Sequence, residues 1–216
     1  MNVCYPLTTQ IDYTELRYSL RSIEKYLQPP FDVVIVGDNL PEWINNVTQI
    51  GLPDLPGRKQ MSIRRKILAA LEYAEEILFL NDDLYLLQPT ESFPYYWHGY
   101  LKNYSESGSQ PLFNKLEYLG KPTKHFDGHM PIVYKQDFKE VSKIFAEDCI
   151  IKSMYCNYLG IEGTFAGDCK LLRETKPEVI REFIKDKPCF STGKYSLPSA
   201  LCILEELFPE PSKYEI

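Results

Sequence analysis

The chain has 216 residues and a formal net charge of −6; 44% of it is hydrophobic, 25% charged and 13% aromatic. That length suits one ordinary domain burying about 70% of its unfolded surface, so a core forms without disulfide staples. The acidic balance argues against a surface built throughout for nucleic acid, leaving at most a local basic groove for it, and no apolar run approaches the roughly 20 residues of a membrane span.

In chain order, "NVCYPL" reads as a short strand, and "TELRYSLRSIEKYL" places Leu16, Leu20, Ile23 and Leu27 at helical spacing. After two prolines comes a β-branched strand, Val33 to Val36, that leaves through Gly37-Asp38-Asn39. A second helix is predicted from about Ser62 to Ala74, followed by the strand "ILFL" and then by Asn81, Asp82 and Asp83. Alternating strands and helices, with strands apolar throughout, predict an α/β fold: a mostly parallel sheet flanked by helices. Ligands of such sheets bind beyond the C-terminal strand ends, where both polar exits lie.

From Pro89 onward the chain is aromatic and broken by glycine and proline, which predicts a loop-rich insertion over the sheet edge. "MPIVYKQ" reads as a strand, residues 137–160 as one helical segment, and "KPEVIREFIK" and "SLPSALCILEELF" as two further helices. No repeat, low-complexity tract or linker interrupts the chain. The six cysteines form no C-x-x-C pair and are expected to be reduced and mostly buried. The start "MNVCYPLTTQ" lacks the basic and apolar regions of a signal peptide, giving the expectation of a cytoplasmic protein.

The adjacent carboxylates carry the chemical signal. Residues two apart on a strand share a face, so Asn81 and Asp83 can address one site while Asp82 needs the chain to turn. Two such charges a few Å apart repel by several kcal/mol, and a hard divalent cation, Mn²⁺ or Mg²⁺, turns that penalty into attraction. The alternative is a turn in which one of the two aspartates caps a backbone amide. Upstream, Arg58, Lys59, Arg64, Arg65 and Lys66 cluster at the start of a helix, where the dipole favours anions; Arg64 is the best single phosphate contact, with Arg58 and Lys59 behind it. His129 is a candidate third metal ligand or acid/base group, and Asp127 lies near enough in sequence to pair with it. Glu162 and Asp168, in a glycine-broken loop, are candidates for the base that deprotonates an acceptor hydroxyl; His98 reads as packing or acceptor contact.

The succession of strand, helix, "VVIVGDN", basic helix and "ILFLNDDLYL" resembles the nucleotide-sugar half of type A (GT-A) glycosyltransferases, with their metal- and diphosphate-binding acidic element. More narrowly, "YSLRSIEKYL", "VVIVGDNLPEWIN", "ILFLNDDLYLLQP", "HFDGHMPIVYKQDFKEV" and "FPEPSKYE" are similar to regions of the Stealth family of capsule sugar-phosphate transferases. That family's opening "VYTWVDG"-like motif and its second, C-terminal Asn-Asp have no counterpart here.

The resemblance implies a GT-A, Rossmann-like domain spanning 1–216, with 1–90 binding the donor and 91–216 facing the acceptor. It places Asn81, Asp82, Asp83 and His129 in the active site. The expected partners are a nucleotide-diphosphate sugar and a glycan or other hydroxyl acceptor. In that reading Asp82, Asp83 and His129 hold the cation, Asp38, Asn39, Arg58, Lys59, Arg64 and Asn81 bind the nucleotide, and Asp82, His129, Asp168 and Glu162 supply the catalytic groups. Glycosyl transfer leads, with sugar-1-phosphate transfer and a non-catalytic glycan- or nucleotide-binding protein as alternatives.

Overall fold

A computed structural model describes residues 2–8, 12–28, 30–106, 108–126, 129–145, 148–173 and 175–216. The first half contains β1 (Asn2–Pro6), α1 (Thr14–Tyr26), β2 (Asp32–Val36), β3 (Thr48–Ile50), α2 (Lys59–Ala70), β4 (Glu76–Phe79) and β5 (Leu84–Leu86). The second contains β6 (Tyr96–Trp97), α3 (Ser109–Tyr118), β7 (Ile132–Lys135), α4 (Phe138–Ile144), α5 (Ile151–Leu159), β8 (Thr164–Phe165), α6 (Pro177–Ile184), β9 (Cys189–Ser191) and α7 (Leu197–Leu207).

The main sheet has the order β3-β2-β1-β4-β7. The first four strands in that order are parallel, with Cys4 beside both Val34 and Phe79, and β7 runs antiparallel to β4. From β1 the chain builds outward through β2 to β3 and then returns to add β4 on the other side of β1. The order therefore reverses between β1 and β4, and the crevice beyond their C-terminal ends is where such a sheet accepts ligands.

Both faces are buried, as the continuous apolar strands require. Cys4, Val34, Val36, Ile77 and Phe79 point to one face, against Ile67 and Ala70 of α2 and Met154 of α5. Val3, Tyr5, Val33, Ile35 and Leu78 point to the other, against Leu16, Leu20 and Ile23 of α1. The heptad-like spacing of α1 thus docks it on the sheet, and its buried serines add a second function. Ser19 Oγ donates to the Leu84 carbonyl (2.6 Å) and Ser22 Oγ accepts from Leu86 N (3.0 Å), tying β5 to α1 immediately after the acidic turn.

Several elements differ from the sequence expectation. β3 is only three residues and largely exposed, too short to show a period. The segment over 137–160 splits into α4 and α5 because the Phe145 carbonyl, which a continuing helix would offer to residue 149, accepts from Arg64 Nη1. The insertion carries β6 and α3 as well as loops; Leu112 and Leu116, four apart, seat α3 in the core. All six cysteines are free thiols, and only Cys202 is exposed.

Gly37 marks a close approach at the sheet edge. A Cβ there would lie 2.6 Å from the Leu7 carbonyl oxygen, while Leu7 N donates to Val36 O at 2.9 Å. Gly37→Ala is therefore expected to cost about 1–3 kcal/mol of stability, as overpacking does. A urea midpoint equal to wild type would contradict this close approach.

Candidate active site

β4 ends in a turn, with Leu84 N reaching the Asn81 carbonyl at 3.3 Å, and Thr192 N pins the Asp83 carbonyl at 3.0 Å. Asn81, Asp82 and Asp83 thereby face a cleft of about 350 Å³ that also receives Pro6 and Thr8 from the end of β1, so it sits at the reversal between β1 and β4. Lys59 and Gln60, at the start of α2, form a second wall. His129, Lys152, Lys170 and Glu106 close it from the second half of the chain. Three lysines thus line one cavity with the acidic turn, Lys152 with its buried Nζ donating to the Met130 carbonyl.

Asp83 is held asymmetrically. Its Oδ2 accepts from Lys170 Nζ at 3.1 Å, with the two side chains only 15% and 18% exposed. Its Oδ1 is buried without a hydrogen-bond partner among the described residues. A buried carboxylate oxygen left unpaired costs roughly 1–3 kcal/mol or more, so this atom is poised for a donor or cation supplied by a ligand. Opposite, His129 Nδ1 lies 3.3 Å from Asp168 Oδ2, a carboxylate that orients the ring. Asp168 is in turn fixed by Lys170 N on its Oδ1 at 3.1 Å, so one short segment, 168–170, serves both His129 and Asp83.

A third acidic group stands behind the turn. Glu15, in the first turn of α1, accepts from Thr192 Oγ1 at 2.7 Å. Burial, with the Asp83 and Asp82 charges adding to it, pushes its carboxyl up to about 7. The folded protein holds this proton more tightly than the unfolded chain does, so the linked stability is complete below about pH 4.5 and is lost as pH rises through about 7. Glu15→Gln should match wild type in thermal midpoint near pH 4.5 and exceed it at pH 8. Parallel midpoint curves for the two proteins would refute the assignment.

Of the residues expected to act, Asn81, Asp82, Asp83, His129 and Lys59 line the cleft, and Asp168 joins them through His129. Asp38 and Asn39 line a neighbouring cavity of about 460 Å³ beyond the end of β2, with Leu40, Gln49 and Gly51. Arg58 is exposed and outside the cleft, where its carbonyl starts α2 by accepting from Ser62.

Arg64 corrects the expectation most sharply. It is buried, and its guanidinium turns inward to the Phe145 carbonyl and to Cys149 Sγ at 3.3 Å. Helical spacing explains this, since Ile63 faces the cleft and the next residue is rotated by about 100° away from it. Lys66 is likewise buried, bonded to Asp54 Oδ1 at 2.6 Å and to the Leu7 carbonyl. Part of the anion that the helix start calls for comes from the chain itself, through Asp148 Oδ1 on Met61 N at 3.0 Å. Glu162 is exposed and outside the cleft; its carbonyl accepts from Lys124 Nζ. Asp127 lies outside the described residues.

Sequence reasoning missed Lys170, Lys152, Glu106 and Glu15. None carries a local signal. Glu15 reads as an ordinary acidic first-turn residue, and Lys170 reaches Asp83 across 87 positions of sequence. Glu106 is bound to the buried His125, itself stacked on Tyr104 at 3.8 Å, inside the segment that reads as loop.

Asp82, Asp83 and His129 do not converge as a ready-made ligand set: among the described residues no group of three or more His, Cys, Asp or Glu side chains is placed to hold a metal ion. His129 is turned to Asp168 instead. The unpaired Asp83 Oδ1 beside Asp82 does fit the sparser kind of Mn²⁺ or Mg²⁺ site, in which one or two carboxylates share the cation with substrate phosphates and water.

The crystal structure of the galactosyltransferase LgtC in complex with donor and acceptor sugar analogues superimposes on this chain with a TM-score of 0.56, covering 99% of it and 97% of LgtC, at 10% sequence identity. The fold is GT-A. In this fold the acidic turn after β4 and the helix start of α2 both lie at the cleft beyond the C-terminal ends of the parallel strands. No protein-family model and no curated protein matches the chain. Among the described residues no helix is long and apolar enough to cross a membrane.

Proposed function

We propose that this protein is a nucleotide-sugar-dependent glycosyltransferase that moves a sugar from a nucleotide-diphosphate donor to a hydroxyl acceptor. The supporting observation is the cleft at the β1/β4 reversal, where Asp83, with an unpaired buried oxygen and Lys170 beside it, shares the walls with Lys59 and Lys152. The likeness to LgtC supports the same reading at the level of fold.

The nucleoside enters the cavity over Gly37 to Leu40, where Asp38 and Asn39 offer acceptors and donors to base and ribose. Neighbouring strands stand about 4.8 Å apart, so the ends of β2 and β4, two strands apart, are separated by roughly 10 Å. That is a length a nucleoside diphosphate spans. The diphosphate then lies against Asn81 to Asp83, with Lys59 and the N-terminal end of α2 favouring its charge. Asp83 Oδ1 and Asp82 would hold Mn²⁺ or Mg²⁺, which when bound neutralises charge developing on the leaving diphosphate. Lys170 stands beside Asp83 and donates to the same phosphate oxygens. His129, oriented by Asp168, takes the proton from the acceptor hydroxyl.

The test is product analysis after incubation with a panel of nucleotide sugars, simple acceptors and Mn²⁺. Release of nucleoside diphosphate is expected. Nucleoside monophosphate would instead establish sugar-phosphate transfer, and no released nucleotide from a protein that binds donors would establish a non-catalytic binder.

A further inference from the structure

The short parallel pair of β6 and β8 places Trp97 beside Phe165, with ring centroids 5.0 Å apart, and Tyr100 joins Trp97 at 5.8 Å. Phe165 is 65% exposed and Tyr100 46%, so two of the three rings turn most or nearly half of their surface to solvent. The ledge is rigid. Thr164 N and Ala166 N donate to the Tyr95 and Trp97 carbonyls at 2.7 and 2.9 Å, and a Cβ on Gly163 (φ 62°) would lie 2.5 Å from the Tyr95 oxygen. Lys124 frames it: its Nζ stands 4.9 Å from the Trp97 ring centre while donating to the Glu162 carbonyl at 2.6 Å.

The ledge lies close to the cleft along the chain. Three residues beyond Phe165 the chain reaches Asp168, whose carboxylate meets His129 in the cleft. Three extended residues span at most about 11 Å, a distance a short oligosaccharide bridges. We propose that Trp97, Tyr100 and Phe165 form an acceptor subsite for a glycan, on which the C–H face of a pyranose ring stacks while a linked ring presents its hydroxyl to His129. Resting on the function proposed above, this names the acceptor class. Aromatic rings favour such a face because their π surface is negative and C–H hydrogens are positive. The rim of Lys124 and the exposed Glu162 supplies partners for equatorial hydroxyls.

An immobilised glycan array probed with wild type, Phe165→Ala and Tyr100→Ala tests this, with uridine diphosphate binding measured on each protein in parallel. Wild type should bind a set of glycans sharing a pyranose unit, each alanine variant should lose about tenfold in affinity for that set, and nucleotide binding should be unchanged. Both residues are exposed, so the variants should fold; a Trp97 emission titration in a Trp43→Phe background with the best array glycan gives a second readout in solution. No array binding by wild type, equal glycan binding by wild type and variants, or a Phe165-dependent dimer in sedimentation would overturn the subsite. Nucleotide binding that fails while array binding persists would instead remove the donor reading and leave a glycan-binding ledge.

Discussion

Asp83→Ala is expected to lower donor turnover about 100-fold or more while leaving stability within about 1 kcal/mol of wild type. The two halves of that outcome follow from different atoms. Oδ1 has no hydrogen-bond partner among the described residues, so removing it relieves the cost of burying an unpaired oxygen, which offsets the loss of the mostly buried Lys170 pair on Oδ2. The Asp83 carbonyl still holds Thr192 N, which keeps the turn in place. Transition-state charge on the diphosphate, by contrast, loses the carboxylate that would anchor its counter-ion. Steady-state kinetics and urea unfolding of the same preparation read both quantities. A large stability loss would mean that Asp83 is a structural turn residue.

Arg64→Ala should do the reverse, costing roughly 3 kcal/mol of stability while nucleotide affinity stays at the wild-type value in conditions where both proteins are folded. The guanidinium fills space between α2 and residues Phe145 and Cys149 and satisfies the buried Phe145 carbonyl, so truncation leaves both a cavity and an unpaired acceptor. The companion Lys59→Ala reverses the pattern again, since Lys59 is exposed and lines the cleft. Its expected effect is about tenfold weaker diphosphate binding with an unchanged urea midpoint, the scale of one hydrogen bond to a charged group. Weaker nucleotide binding by Arg64→Ala at full folding would restore Arg64 to the phosphate site.

The contrast between Arg64 and Lys59 shows what a sequence of this kind makes legible. Apolar runs such as "VVIV" and "ILFL" announce strands buried on both faces, and the sheet that forms from them is the one the pattern predicts. An acidic turn at the end of such a strand is legible for the same reason, because strand direction alone decides which edge it reaches. Which member of "GRKQMSIRRK" faces the cleft is a matter of helix phase, and one residue of phase moves a guanidinium from a phosphate site into the core. Long-range closure was invisible. Lys170 reaches Asp83, and Thr192 reaches both Asp83 and Glu15, through β9 pairing with β5, a contact that three-residue strands do not advertise. The strand β7 was legible in "MPIVYKQ", but its antiparallel direction and the small β6/β8 pair were not, because neither direction nor partner is encoded in a local period.

One titration addresses the central claim, that the carboxylates after β4 hold a diphosphate through a divalent cation. Uridine diphosphate and guanosine diphosphate are titrated calorimetrically into wild type and Asp83→Ala, each with Mn²⁺ and with chelator. Binding to wild type that weakens at least about tenfold on chelation, and that loses this metal dependence in Asp83→Ala, is the expected result. Equal affinity in wild type and variant, with Mn²⁺ present and the variant folded, would contradict it.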